Sequence, residues 1–245
     1  MWAVLPLKQF HMAKQRLAGV LAPSQRRLLF EAMVEDVLLE LTRVETLDGI
    51  LIVSADPKAR LLAKRYDATL LTEPAHNKRG LNGAVDHAIS YLLKRDAAEA
   101  MILHADLPLV HARHIESLVQ AHRSRSGSGC VTVISDRATR GSNCLLCTPP
   151  DIIPFSYGEE SCAKHMRNAS AREACLQLLK CEALEMDIDL PGDLLDLAAA
   201  MVADPHYHSR KTYAALCDLG ILHHLPTRRC RTFFQSEPLN NACAK

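Results

Sequence analysis

The chain has 245 residues, between one and two domains' worth, enough to close a full hydrophobic core without disulfide staples. Apolar residues make up 48% and charged residues 23%, which excludes disorder and fibrous repeats. With 29 Lys and Arg against 28 Asp and Glu the formal charge is +1, so no global field holds nucleic acid or an anionic membrane, and an anionic ligand needs a local site.

No run approaches the ~18 uninterrupted apolar residues of a membrane span. The stretch from Met1 to Lys8 lacks the basic lead-in and apolar length of a secretory signal, so a cytoplasmic protein is expected. Nine cysteines, an odd number, suit a reduced compartment better than a disulfide framework.

In chain order, short aliphatic runs alternate with segments of helical period, the pattern of an α/β layer fold with a mainly parallel sheet. A first strand is predicted over Trp2 to Leu5, followed by a loop rich in Lys and Arg. Pro23-Ser24 opens a helix with Phe30, Val34, Val37, Leu38 and Leu41 on one face. Gly49 to Ala55 reads as a buried strand, and Asp56-Pro57 caps and starts a short helix. A strand at Ala68 to Thr72, a polar loop from Glu73 to Gly80, a helix from Leu81 to Lys94 and a strand at Ala100 to His104 follow. Next come a helix over His114 to His122, a Ser/Gly-rich turn at Ser124 to Gly129, and strands at Cys130 to Ser135 and Asn143 to Thr148. Residues 151 to 168 are expected as a loop and a polar helix, Arg172 to Lys180 as a helix, Ala183 to Asp189 as the last strand, and Pro191 to Val202 as a helix.

The core is expected to close near residue 205. Residues 206 to 245 carry six Lys or Arg against two Asp or Glu and read as a basic appendix, with one helix at Thr212 to Leu222 and a mobile tail from Thr227.

In parallel α/β sheets the ligand crevice lies beyond the carboxyl ends of the strands. Lys8, Lys14 and Arg16 follow the first strand, where three cations can neutralise a triphosphate or form a solvated loop. Asp106 follows the strand at Ala100 to His104 and precedes Leu107-Pro108; Asp187 and Asp189 lie two apart at the end of the expected last strand, on one face. One Asp from each strand end suits Mg²⁺, which takes one or two carboxylates plus phosphate oxygens; the alternative role of each is helix N-capping. Gly141-Ser142-Asn143 and Tyr157 to Ser161 offer amides and hydroxyls to a small anion, or are ordinary turns. Cys144-x-x-Cys147 with Cys162-x-x-His165 has a zinc-like spacing, but an odd offset within a strand sends Cys144 and Cys147 to opposite faces. The histidines at 104, 111, 114, 206, 208, 223 and 224 form no ligand pattern and are taken as surface or locally satisfied.

Seven stretches in order resemble the CofC-type guanylyltransferases of coenzyme F-420 biosynthesis, covering most of residues 3 to 200. They are Leu5-Pro6-Leu7-Lys8 with Ala13 to Ala18, Arg26 to Asp36, Gly80-Leu81-Asn82, Ala105 to Pro108, Gly141-Ser142-Asn143, Phe155 to Gly158 with Ser161 and His165, and Asp187 to Leu194. The resemblance implies a single-domain, nucleotide-diphospho-sugar transferase-like and Rossmann-like fold. It also implies transfer of GMP from GTP to the phosphate of 2-phospholactate, phosphoenolpyruvate or 3-phosphoglycerate, with release of pyrophosphate. By the same resemblance Lys8, Lys14 and Arg16 line the triphosphate, Gly80, Leu81 and Asn82 approach the nucleoside, and Asp106 with Asp189 holds Mg²⁺, with Asp187 left open as the second ligand. Ser142, Gly158 and Ser161 grip the acceptor acid. The resemblance further implies a downstream transferase that consumes the labile product, and leaves a homodimer open.

The sequence departs from the family where Ser142 and Leu190 replace a usual Thr and Gln15 a small hydroxyl residue. Glu159 and Glu160 stand beside the expected anion site, where they would repel an anion unless they turn away. Competing readings are a nucleotidyltransferase with another acceptor and a zinc-stabilised interaction module.

Overall fold

Buried aliphatic runs build the sheet at the centre of the computed structural model, which describes residues 1–73, 80–125 and 129–225. Strands β1 (Trp2–Pro6), β2 (Gly49–Ser54), β3 (Thr69–Thr72) and β4 (Ala100–Leu103) alternate with helices α1 (Pro23–Leu41), α2 (Pro57–Arg65) and α3 (Gly80–Leu93). Helix α4 (Ala112–Arg123) leads to β5 (Cys130–Ser135) and β6 (Ser142–Thr148), then to α5 (Ser161–Ala171) and β7 (Cys175–Leu179). The chain continues through α6 (Glu182–Glu185), α7 (Pro191–Ala203) and α8 (Lys211–Asp218). None of the described helices is long and apolar enough to cross a membrane.

The seven strands lie in the order β3-β2-β1-β4-β6-β5-β7, and β6 alone runs against the rest. Alternation along each strand divides the core: Ala3, Leu5, Ile50, Ile52 and Met101 face α1, α2, α4, α7 and α8, while Val4, Leu51, Val53 and Ile102 face α3 and α5. Asp56 caps α2 as expected, accepting from the Lys58 amide at 2.9 Å, and its other oxygen accepts from the Phe10 amide at 2.8 Å. That second bond ties the loop after β1 to the neighbouring helix.

Two expected elements differ. The segment expected as a helix over Arg172 to Lys180 is strand β7, which pairs in parallel with β5 from Cys130↔Cys175 to Ile134↔Leu179. Its helix-forming Leu, Gln and Lys residues alternate, with Leu176 and Leu178 toward one core and Leu179 toward the other, and burial along an open sheet edge overrides propensity. The last strand expected over Ala183 to Asp189 is instead the single turn α6 followed by an unpaired extended segment. The Leu184 amide closes that turn on the Cys181 carbonyl at 2.8 Å, and both neighbours of β4 are already taken by β1 and β6.

The core also runs past residue 205: Tyr207, Ala215 and Leu216 belong to the cluster that contains α1. Asp36 on α1 accepts the amides of Lys211 and Thr212 at 2.9 and 2.8 Å, and buried Arg210 meets Glu40 at 3.1 Å. The expected mobile tail from Thr227 lies outside the described residues, as do parts of the loops expected at 73–80 and 124–129.

Burial works to raise the Glu40 carboxyl, but the hydrogen bonds from His111 and the Ala112 amide, with the charges of Arg210 and Arg43, outweigh it and hold it down at about 2. A carboxyl depressed in the folded state adds stability above its unfolded pKa, and that stability is lost as the pH falls through the folded value. Glu40→Gln is therefore expected to cost about 3 kcal/mol at pH 7, a deficit that closes between pH 4.5 and about 2. Urea unfolding at pH 7 and pH 3 checks this; an equal deficit at both would refute it.

Candidate active site

The chain leaves β1 toward β2 on one side and later returns to β4 on the other, so the carboxyl ends of β1 and β4 flank a topological switch point. A cleft of ≈ 320 Å³ opens there, lined by Lys8, Lys14 and Arg16 from the loop after β1, Asp106 and His104 from the end of β4, Asp189 before α7, and Leu81 of α3. The loop is packed in place, with Phe10 and Leu17 fully buried and the Phe10 ring 5.2 Å from Phe30. The loop backbone is thus anchored and Lys14 is buried, while Lys8 and Arg16 remain exposed.

Lys14 is the centre of the site. Only 8% exposed, it sits in the left-handed region at φ 53, where a non-glycine residue is strained, and its Nζ donates to Asp106 and, at 3.3 Å, to Asp189. Burial disfavours its charge, yet Asp106 and Asp189 hold its ammonium above the usual range. Burial likewise opposes ionisation of Asp106, while Lys14 and His104 draw the carboxyl below its ordinary value. Arg16, largely in solvent, reaches Asp189 at 3.2 Å. Asp187 accepts from Asn143 at 3.4 Å, and burial with the charges of Asp106 and Asp189 pushes its carboxyl up to about 6.

Neither Asp106 nor Asp189 caps a helix. His111 precedes α4, and Asp193 reaches back to accept the Asp189 and Leu190 amides at 3.0 and 2.7 Å, closing the start of α7. The carboxylates of Asp106 and Asp189 are thus kept for the cleft. Asp106 stands just past the end of β4 as expected, whereas Asp189 reaches the cleft not from a second strand end, as expected, but from the segment between α6 and α7.

The second group of candidate residues does not line this cleft. Ser142 and Ser161 are buried, and the Ser142 amide donates to the Ser161 hydroxyl at 3.0 Å. His165 accepts the Ser156 amide on Nε2 at 2.9 Å, which leaves the proton on Nδ1 to donate to the Ser142 hydroxyl at 2.9 Å. Burial pushes His165 down to about 4, in keeping with that neutral tautomer. Gly158, at φ 112, takes a backbone conformation that only glycine adopts readily. Glu159 and Glu160 pair with Arg140, at 3.8 and 2.7 Å, which offsets their charge.

Of Gly80, Leu81 and Asn82, Leu81 lines the cleft and Gly80 begins α3 at φ 56. Asn82 is committed to the backbone of Tyr157, accepting its amide at 2.7 Å and donating to its carbonyl at 3.2 Å. It therefore fixes the 155–158 loop against α3. His104 is among the histidines expected to be at the surface or locally satisfied, yet it lines the cleft; its place at a strand's carboxyl end, two residues before Asp106, is the signal that could single it out.

The zinc-like spacing does not converge, because Cys144 faces one core and Cys147 the other. Among the described residues no three His, Cys, Asp or Glu side chains form a ready metal cage.

A cation-lined cleft opposed by carboxylates at the switch point of this sheet suits a phosphorylated ligand, and together with the family match it makes the chain a nucleotidyltransferase. A solved structure described as a nucleotide-diphospho-sugar transferase of Desulfovibrio desulfuricans G20 has the same fold, with a TM-score of 0.71 at 14% identity over 90% of this chain and 95% of that one. The chain belongs to the guanylyl transferase CofC-like family, whose model matches residues 1–223. It is 37% identical over 193 residues to the phosphoenolpyruvate guanylyltransferase of Conexibacter woesei, covering 79% of this chain and 85% of that protein. It is also 32% identical over 195 residues to the 3-phospho-D-glycerate guanylyltransferase of Colwellia psychrerythraea, covering 80% and 90%.

Proposed function

We propose that this enzyme transfers GMP from GTP to the phosphate of a small three-carbon phosphorylated acid, phosphoenolpyruvate or 3-phosphoglycerate foremost, in the route to coenzyme F-420. The carrying observation is the convergence of Lys8, Lys14 and Arg16 with Asp106 and Asp189 in one cleft. Cations there offset the charge of a triphosphate, and the family relationship supplies the guanylyl group.

The donor set of the cleft fits a divalent cation. Asp106 and Asp189 already share one buried positive charge, the Lys14 ammonium, and Asp187 lies close enough to feel both. Hard oxygen ligands of this kind suit Mg²⁺, which needs only one or two carboxylates because phosphate oxygens and water complete its shell. Asp106 with Asp189, or with Asp187, would hold it, and when bound it neutralises charge on the phosphates and orients them.

The chain's own residues do the rest. Lys8 and Arg16 bind the β- and γ-phosphates, and Lys14, held between Asp106 and Asp189 at the cleft, offers its ammonium to the triphosphate. An oxygen of the acceptor phosphate attacks the α-phosphorus in line, a new P–O–P bond forms, the bond to the β-phosphate oxygen breaks, and pyrophosphate leaves. The acceptor phosphate is already ionised near neutral pH, so neither a protein nucleophile nor a general base is required, and positioning and electrostatics carry the acceleration. The partner this reading calls for is a downstream transferase that consumes the labile product.

Ser142, Gly158 and Ser161 are assigned to the acceptor. The Ser161 hydroxyl accepts from the Ser142 amide and keeps its own hydrogen for a ligand oxygen. Ser161→Ala is expected to raise the acceptor KM about tenfold while the GTP KM stays within about twofold. Steady-state kinetics with each substrate varied in turn measures this, and an unchanged acceptor KM would remove Ser161 from the acceptor site. For the reaction as a whole, the three phosphorylated acids are offered together with GTP and the product is identified by mass. One guanylylated acid supports the proposal, and unchanged acids overturn it.

A further inference from the structure

Two neighbouring polar side-chain atoms are buried without a hydrogen-bond partner among the described residues: Nε2 of His104, which lines the cleft, and the hydroxyl of Tyr157, whose ring packs against His104 outside the cleft lining. Their rings lie 5.6 Å apart. Buried polar atoms are nearly always paired, so an orphan in a cleft calls for a water or a ligand to complete it.

His104 stands between the two groups of site residues. It lines the cleft beside Lys14 and Asp106. Its backbone amide donates to the Asn143 carbonyl at 3.0 Å, which places it across the β4–β6 ladder from the residue next to Ser142. Tyr157 continues the link, packing edge-on at 4.8 Å against His165, the ring that holds the Ser142 hydroxyl. His104 thus both lines the cleft with Lys14 and adjoins the strand that carries Ser142, so an acid seated beside Lys14 meets its ring.

We infer that His104 is an acceptor-binding residue whose imidazole hydrogen-bonds the carboxylate end of the phosphorylated acid and so helps set which acid is used. This rests on the guanylyl-transfer reading above. An imidazole can donate to a carboxylate and accept from a hydroxyl, so it suits both a keto-derived acid and a hydroxy acid. A site built around such a bond discriminates strongly against ligands that leave it unmade.

The test is a KM split in His104→Phe and His104→Gln, together with acceptor affinity measured calorimetrically on enzyme loaded with α,β-methylene GTP, which cannot transfer. His104→Phe is expected to raise the acceptor KM and Kd about tenfold or more, with the GTP KM within about twofold. His104→Gln, which keeps an N–H at similar reach, is expected to recover most of the loss. Should the Phe variant fail to fold, His104→Ala gives the same comparison. An unchanged acceptor KM, or equal changes in both substrates, overturns the assignment. Wild-type turnover in the same assay separates the two readings: an active wild type beside an unaffected variant refutes His104 alone, whereas a wild type inert with every acid refutes the proposed function as well.

Discussion

Asp106→Asn is expected to lower kcat by roughly three orders of magnitude in the presence of GTP, Mg²⁺ and acceptor. Asp106 is the carboxylate fixed by the end of β4, and the cleft brings it against Lys14 with Asp189 on the other side. The amide keeps the shape but gives up the charge that a hard cation requires, and it leaves Lys14 with a single carboxylate partner. Fold should survive, because Asp106 caps no helix and belongs to no ladder. Pyrophosphate release measures the loss and circular dichroism the fold; activity within about tenfold of wild type in a folded variant would remove Asp106 from the reaction.

Lys14→Met is expected to lower kcat/KM for GTP by about two to three orders of magnitude. The substitution removes the one buried cation of the cleft and leaves three carboxylates, Asp106, Asp187 and Asp189, to repel one another. The consequence for metal has the opposite sign. Without the competing ammonium, the carboxylates should bind Mn²⁺ more tightly in the absence of nucleotide, and the spectrum of free Mn²⁺ reports this without any turnover. A variant with wild-type GTP kinetics, or with weaker Mn²⁺ binding, would contradict the role given to Lys14.

The sheet was largely legible because its inner strands are buried on both faces and leave little choice. Gly49 to Ser54 and Cys130 to Ser135 are unbroken runs of that kind, and Asp56-Pro57 carries its cap and first helical residue side by side. The stretch from Cys175 to Asp189 was not legible in the same way. Its first part has helix-forming residues forced into an edge strand by β5, and its second has strand-like alternation with no place left in the sheet. Period and propensity describe a segment, whereas the open positions of a sheet belong to the whole chain.

The site divides along the same line. Asp106 and the loop cations stand where strand ends put them, so their approach to one cleft follows from the strand-end rule. That Lys14 lies buried between Asp106 and Asp189, 92 and 175 residues away in sequence, depends on tertiary packing. The same holds for Asn82, whose amide is used up by the Tyr157 backbone, and for His104, which looks like any other histidine until β4 delivers it to the cleft.

The most direct test is pyrophosphate release by the purified protein with GTP and Mg²⁺, offered phosphoenolpyruvate, 3-phosphoglycerate and 2-phospholactate separately, with ATP and CTP in place of GTP as controls. Guanylyl transfer requires release that depends on both GTP and one of the acids and that falls to background with either control nucleotide. Release with ATP or CTP at the GTP rate, or none with any acid, would contradict it.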